Sequence, residues 1–213
     1  MNYLISYPKS GNTWVRYCLE YLTDKRTMGY ARSTEFEPSV LKHTRDLSPW
    51  LIKKHELRGI DNPQEDKIIL IIRNYKEVLL RLKGENYDLI NSQGNTGRFN
   101  YFKLINFYNG YKGKKHLVYY EDIISNLKKS IIGILNFLGE DVSDIKLNDF
   151  FNDIENHKIK SLEIYSDSKT KGKNVIFHSN KLSLDRKKEW DSYVENNYKK
   201  IFDKYLNRYK EDS

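Results

Sequence analysis

One cysteine occurs in 213 residues. Cys18 therefore has no partner for an intramolecular disulfide, and a reducing compartment, the cytoplasm, is the expected setting. Lying among apolar neighbours at helical spacing, it reads as a packing residue rather than a reactive thiol. No basic leader or cleavable apolar stretch precedes the first apolar segment at Tyr3, and no later apolar run approaches the roughly 18 residues that span a bilayer. Internal repeats, a linker and a His, Cys, Asp and Glu cluster at metal-ligand spacing are also missing. These absences predict one domain over residues 1–213, without a membrane span and without a metal. A chain of this length buries well over half of its unfolded surface and needs no disulfide to do so.

Basic residues, by contrast, are plentiful. Lysine and arginine number 37 against 29 acidic residues, a formal net charge of +8. That excess favours an anionic partner such as a nucleotide, a nucleic acid or an acidic glycan, or it is a solvated basic surface; sign alone does not choose.

Periodicity organises the chain into alternating strands and helices. Tyr3-Leu4-Ile5-Ser6-Tyr7 is a short run of β-formers stopped by Pro8. Trp14, Val15, Cys18, Leu19 and Leu22 then recur at helical spacing, which predicts a helix over 12–23 with Arg16, Glu20 and Asp24 on a solvent-facing side. Further strands are expected at 50–54, 68–72 and 116–120, the middle one apolar throughout, as for a strand covered on both faces. Helical patterns occupy 76–83, 98–112, 124–138 and 149–164, with Gly139 as a stop. From Trp190 to Tyr209 an apolar and aromatic stripe reads as core packing on a long helix. The pattern predicts a single α/β domain with a central, mostly parallel sheet flanked by helices. A core of about 1–139 is followed by a C-terminal loop and long helix over 166–210.

The densest chemistry lies between the first strand and first helix, in Tyr7-Pro8-Lys9-Ser10-Gly11-Asn12-Thr13-Trp14. A helix N-terminus presents unpaired N–H groups and a positive dipole end, and Gly11 admits an anion close to the backbone. Lys9, Ser10, Asn12 and Thr13 add a charge and short donors. This is a P-loop-like phosphate site, although with its lysine before the glycine it is not a Walker A loop. Taken alone, it is also consistent with a plain turn capped by Ser10 or Asn12.

Here the chain resembles the sulfotransferase family that uses 3′-phosphoadenosine-5′-phosphosulfate (PAPS). The family's loop reads Pro-Lys-Ser-Gly-Thr-Thr-Trp, and this chain has Pro-Lys-Ser-Gly-Asn-Thr-Trp at 8–14. The resemblance implies that Lys9, Ser10, Gly11, Asn12 and Thr13 cradle the 5′-phosphosulfate, with Trp14 near the adenine. A second segment, Arg73-Asn74-Tyr75-Lys76-Glu77-Val78, corresponds to the family's Arg-Asn-Pro-(Lys/Arg)-(Asp/Glu)-Val. It implies Arg73 as the 3′-phosphate ligand, with Arg81 where the family has a serine; a strand-end arginine paired with a carboxylate is the alternative. Lys53-Lys54-His55 matches the family's Lys-Thr-His, implying His55 as general base with Lys53 and Lys9 assisting catalysis. Tyr120-Glu121-Asp122 followed by Phe137-Leu138-Gly139 matches a fourth segment, whose tyrosine contacts the nucleotide. Thr170-Lys171-Gly172-Lys173-Asn174 partly matches a late loop, placing Lys171 and Gly172 at the 3′-phosphate. Glu121 and Asp122 read as helix-capping groups rather than metal ligands.

The expected reaction moves the sulfuryl group of PAPS to a hydroxyl on a carbohydrate or small alcohol, releasing adenosine 3′,5′-bisphosphate (PAP) without a metal. Segments 25–49 and 84–100 are the candidate acceptor loops, polar enough to lean toward a saccharide. Two rivals are a nucleotide or small-molecule kinase, which would need magnesium and ATP, and a non-enzymatic nucleic-acid or glycan-binding module, whose binding would fall steeply with salt. No nucleic-acid motif is evident.

Overall fold

The computed structural model describes residues 1–29, 49–60, 62–165 and 181–211. Five strands form one sheet: β1 (Asn2–Ser6), β2 (Thr27–Met28), β3 (Leu51–Lys54), β4 (Lys67–Ile72) and β5 (Lys114–Tyr119). Their order is β2-β3-β1-β4-β5 and every pairing is parallel. The two central strands carry apolar side chains on both faces because helices cover both. Tyr3, Ile5, Ile68, Leu70 and Ile72 pack into one core with α2 (Tyr75–Lys83), α3 (Tyr101–Gly110) and α8 (Leu184–Ile201). Leu4, Ile69 and Ile71 face the other way, against α1 (Asn12–Thr23), α5 (Leu127–Leu138) and α6 (Asp144–Asn152).

The helix expected over 124–138 is two, α4 (Tyr120–Ser125) and α5, split where Asn126 turns non-helical and caps the second through Lys129 N–H. Likewise 149–164 lies across α6 and α7 (Ile154–Tyr165). Gly139 ends α5 in a left-handed conformation, φ 82°, its N–H bonded to the Leu135 carbonyl at 3.0 Å. Cys18 is fully buried, as its packing role requires. The C-terminal stripe is core: Trp190, Val194, Ile201, Phe202 and Leu206 are all buried. α8 kinks at Tyr198, whose ring stacks on Phe102 at 4.1 Å, and continues as a π-helical turn over Phe202–Leu206.

The expected solvent-facing side of α1 requires correction. Arg16 and Glu20 are buried, and both grip the unanticipated strand β2. The Thr27 N–H donates to Glu20 Oε1 at 2.9 Å, the Thr27 hydroxyl donates to the same carboxylate, and Arg16 Nε–H donates to Thr27 Oγ1 at 2.8 Å. Their charges are tolerated inside because each polar atom meets a partner. Asp24 ends the helix with φ 53° and pairs with Lys146, closer to the expectation.

A buried polar network fastens the C-terminus to α2, directly behind the end of β4. Lys76 and Asp191 are essentially solvent-free and 2.6 Å apart. Tyr75 donates its hydroxyl to Asp191, Lys76 also donates to the Tyr209 carbonyl at 2.7 Å, and Glu211 N–H donates to Asp191 Oδ2 at 2.9 Å. Removing one member strands a buried charge. Asp191→Ala should therefore lower stability by about 3–5 kcal/mol in urea unfolding. An unchanged midpoint would mean that Glu211, 3.3 Å from the Lys76 ammonium, suffices alone.

Candidate active site

Beyond β1 the backbone makes a tight turn into α1. Tyr7 is buried and its hydroxyl donates to the Thr96 carbonyl at 2.7 Å, fixing the start of the loop. Lys9 follows with φ 67° and Gly11 with φ 86°. A non-glycine residue held at positive φ is strained, and such strain is retained where surrounding contacts over-determine it. Gly11 is the N-cap of α1, and no side chain caps it, which corrects the alternative of a Ser or Asn cap. Asn12 turns inward instead, its amide donating to Ser6 Oγ at 2.7 Å, while its Oδ1 lies 3.4 Å from the Thr13 hydroxyl. Ser10 Oγ is buried without a hydrogen-bond partner. Lys9 and Thr13 are exposed. An uncapped helix start, an orphaned buried hydroxyl and an adjacent lysine fit a phosphate group.

Gly11 is required for a second reason. A Cβ there would lie 2.5 Å from a ring carbon of Tyr120, so the aromatic ring rests against the bare backbone of the loop. On that ring sits the guanidinium of Arg73, 4.0 Å from its centroid. Arg73 Nη1–H donates to the Lys9 carbonyl at 2.9 Å and Nη2 lies 3.4 Å from Glu77. Arg81 binds the same Glu77 carboxylate. The structure thus brings Arg73 and Tyr120 to the loop, with Arg73 only 3% exposed, and holds Arg81 beside Arg73 through their shared Glu77. It is paired with a carboxylate, as the alternative for a strand-end arginine had it, and also braces the phosphate loop.

His55 follows β3 and reaches the same end of the sheet. Its Nδ1 is 2.7 Å from the carbonyl of Ser6, the last residue of β1. A carbonyl only accepts, so Nδ1 carries the proton and Nε2 keeps its lone pair. Burial, then the positive charge of Lys53, lower the imidazole pKa to about 4. The ring meets Phe99 edge-on at 5.4 Å. Lys53 and Lys54 diverge: Lys53 is in register with Leu4 on the α1 side, and Lys54 reaches the opposite side, where its ammonium binds the Arg58 carbonyl. A cleft of about 200 Å³ opens beside His55, walled by Phe99, Leu104 and several charged side chains.

Trp14 is half-buried and stacks on Tyr17 at 5.5 Å, at the outer end of an aromatic group with Tyr21, Phe150 and His157. The Tyr17 hydroxyl is 2.8 Å from His157 Nδ1, and His116 stacks on Phe137 at 5.3 Å; neither histidine joins the loop. Glu121 and Asp122 do not cap α4, contrary to expectation. Glu121 accepts from Asn74 N–H at 3.1 Å and from the Tyr209 hydroxyl at 2.7 Å, while Asp122 pairs with Arg208 at 2.7 Å. Sequence reasoning missed the roles of Glu77, Glu121, Tyr209 and Phe99; for Glu77 the signal was its i, i+4 spacing to both Arg73 and Arg81. Lys171 and Gly172, with Lys169 and Lys173, lie outside the described residues, as do His43 and His178. Among the described residues no group of three or more His, Cys, Asp and Glu side chains could hold a metal ion, and no helix is long and apolar enough to cross a membrane.

The turn after β1, with Arg73 bonded to it, Arg81 on the same Glu77 carboxylate and His55 on the Ser6 carbonyl, lies at the end of a central parallel strand, where open α/β sheets bind their ligands. The sulfotransferase domain matches residues 89–212, more than half of the chain, and the chain belongs to the sulfotransferase family. The fold is similar to that of mouse sulfotransferase SULT7A1 complexed with PAP, with a TM-score of 0.68 and 17% identity over 98% of this chain and 88% of that one. Retinol dehydratase with retinol and PAP aligns over 93% of this chain and 81% of that one, with a TM-score of 0.60 and 13% identity. The same enzyme with androsterone and PAP gives 0.59 and 14%, over 93% and 80%. No curated protein sequence matches the chain.

The orphaned Ser10 hydroxyl separates a ligand-binding role from a structural one. Because it makes no bond within the fold, Ser10→Ala should leave the melting temperature of the unliganded protein unchanged or slightly higher. Its stabilisation by PAP should fall, by about 1–2 kcal/mol in a thermal-shift titration. Equal stabilisation of both proteins would place the hydroxyl away from the phosphate.

Proposed function

We propose that the protein transfers the sulfuryl group of PAPS to an acceptor hydroxyl, with His55 as general base. The observation that carries this reading is the bond from His55 Nδ1–H to the Ser6 carbonyl. It holds the imidazole beside the entrance to the phosphate loop in the tautomer whose Nε2 can take a proton. Nε2 removes the hydroxyl proton as the acceptor oxygen bonds to sulfur and the bond from sulfur to the 5′-phosphate oxygen breaks, releasing PAP. Lys9 offsets charge on the departing phosphate and Lys53 assists at the sulfuryl oxygens; fixed cations near an in-line transfer are the main source of rate.

In this reading the loop from Lys9 to Thr13 holds the 5′-phosphosulfate. Ser10 contributes its hydroxyl, Gly11 and Asn12 their backbone, and Trp14 and Tyr120 flank the nucleoside. Arg73 and Arg81 take the 3′-phosphate, which their clustering on Glu77 supports, since two guanidinium groups gathered on one carboxylate leave a net positive charge. The acceptor is a small hydroxyl compound, and the polar surroundings of His55 favour a saccharide. Cys18, the sole cysteine and fully buried, accords with a cytoplasmic setting.

A thermal-shift titration tests the donor site: PAP at 100 times its Kd should stabilise by roughly 2.7 kcal/mol without metal. AMP, ADP and magnesium-ATP should do less, and a response to magnesium-ATP alone would point to a kinase. Arg81→Ala, which leaves the bond from Arg73 to the Lys9 carbonyl in place, should weaken PAP far more than AMP; equal losses would detach Arg81 from the 3′-phosphate. His55→Ala should lower kcat by about 10²–10⁴ with PAP affinity unchanged. Catalysis needs the neutral imidazole, whose pKa in the free protein is about 4. The rate kcat/KM should therefore lack an acid limb through the ordinary histidine range and fall only as the pH approaches that value. A limb near 6.5 would show an unperturbed histidine.

A further inference from the structure

The cleft beside His55 is small and basic. Its volume, about 200 Å³, is below the roughly 300 Å³ at which pockets for drug-sized ligands begin. It suits a single ring better than an extended apolar chain. Three cations line it, Arg58, Arg98 and Lys103, against one carboxylate, Glu56. Glu56 is taken by Arg98, 2.6 Å away in an exposed pair. Arg58 and Lys103 are exposed and have no acidic partner among the described residues. Phe99 supplies one apolar wall, holding the His55 ring edge-on and lying 5.5 Å from the Arg98 guanidinium.

An uncharged alcohol would gain only ordinary hydrogen bonds from two unmatched cations in its binding site, whereas a carboxylate, sulfate or phosphate on the same molecule would pair with them more strongly. We infer that the acceptor is itself an anion: a single-ring hydroxyl compound bearing a carboxylate, sulfate or phosphate, bound by Arg58 and Lys103 with its ring on Phe99. This rests on the reading of His55 as the base. It differs from the neighbours of similar fold, where the bound compounds are retinol and androsterone.

The test compares methyl glucuronide with methyl glucoside, which share a ring and differ in a carboxylate. Glucose 6-sulfate and glucose 6-phosphate separate the kinds of anion, and androsterone serves as an apolar alcohol. Turnover is followed as PAP formed from PAPS, and binding to the PAP-loaded protein is measured alongside, so a ring of unsuitable stereochemistry still reports. A charged ring should bind at least about tenfold more tightly than the glucoside, and the difference should shrink as salt screens it. Arg58→Ala and Lys103→Ala should each remove about tenfold of the affinity for the charged ring, with PAP stabilisation intact to show that the fold and donor site survive. Equal or tighter binding of the glucoside or androsterone, with PAP still stabilising, overturns the inference and leaves the donor site standing. Failure of PAP to stabilise the protein overturns the underlying reading, and the inference with it.

Discussion

The Arg73 guanidinium is the point on which the site depends. It leaves the end of β4, sits over the ring of Tyr120 from the end of β5, and donates to the Lys9 carbonyl in the loop after β1. Three neighbouring strand ends are thus tied through one planar cation. Tyr120 presses in turn on Gly11, which has no Cβ to resist it. The left-handed conformation of Lys9 is costly on its own, and the bond from Arg73 to the Lys9 carbonyl is one of the contacts that hold it. Burial, and then the neighbouring Arg81, lower the Arg73 pKa, while Tyr120 and the Glu77 and Glu121 carboxylates act against that shift without cancelling it.

The sheet explains why these groups meet. In a parallel sheet all strands finish at one edge, and here the loop after β1, His55 after β3, Arg73 after β4 and Tyr120 after β5 lie along it. β1 sits in the middle, with β2 and β3 on one side and β4 and β5 on the other. The connections leaving it and crossing over it open a crevice at that edge, where ligands of such sheets bind. The C-terminal segment closes the back of this arrangement: Tyr209 and Glu211 reach α2, α4 and α8 through Lys76, Glu121 and Asp191. Disturbing the last turns of the chain is therefore felt at the end of β4.

Much of this was legible in the sequence where the signal was local. The helix expected at 12–23 is Asn12–Thr23, because its apolar spacing and the glycine before it are read within a few residues. The segment at 68–72 is a central strand because both of its faces are apolar. What escaped were pairings over long separations. Glu121 meets Tyr209 across 88 positions, and no periodicity encodes that bond. Arg16 and Glu20 were assigned to solvent because charges usually lie there, yet a two-residue strand with no recognisable pattern covers them. Glu77 shows the intermediate case: its spacing to Arg73 and Arg81 was visible, but that both would turn toward the phosphate loop depends on where β4 ends.

The electrostatics of the site serve the proposed reaction in two stages. Burial first, and then the charge of Lys53, keep the proposed base His55 unprotonated at physiological pH, so no proton must leave before reaction. The same burial and charge make it a weak base in the free protein. An arriving donor brings several negative charges to the loop beside it, and an anionic acceptor brings one more to the cleft. Each raises the affinity of Nε2 for a proton, since negative charge favours the imidazolium. In the proposed reaction the base is thus neutral when the site is empty and strengthens as the site fills, which would couple proton removal to the presence of both substrates. An uncharged acceptor would forgo part of that increase, so the basic cleft and the depressed imidazole belong to one electrostatic arrangement.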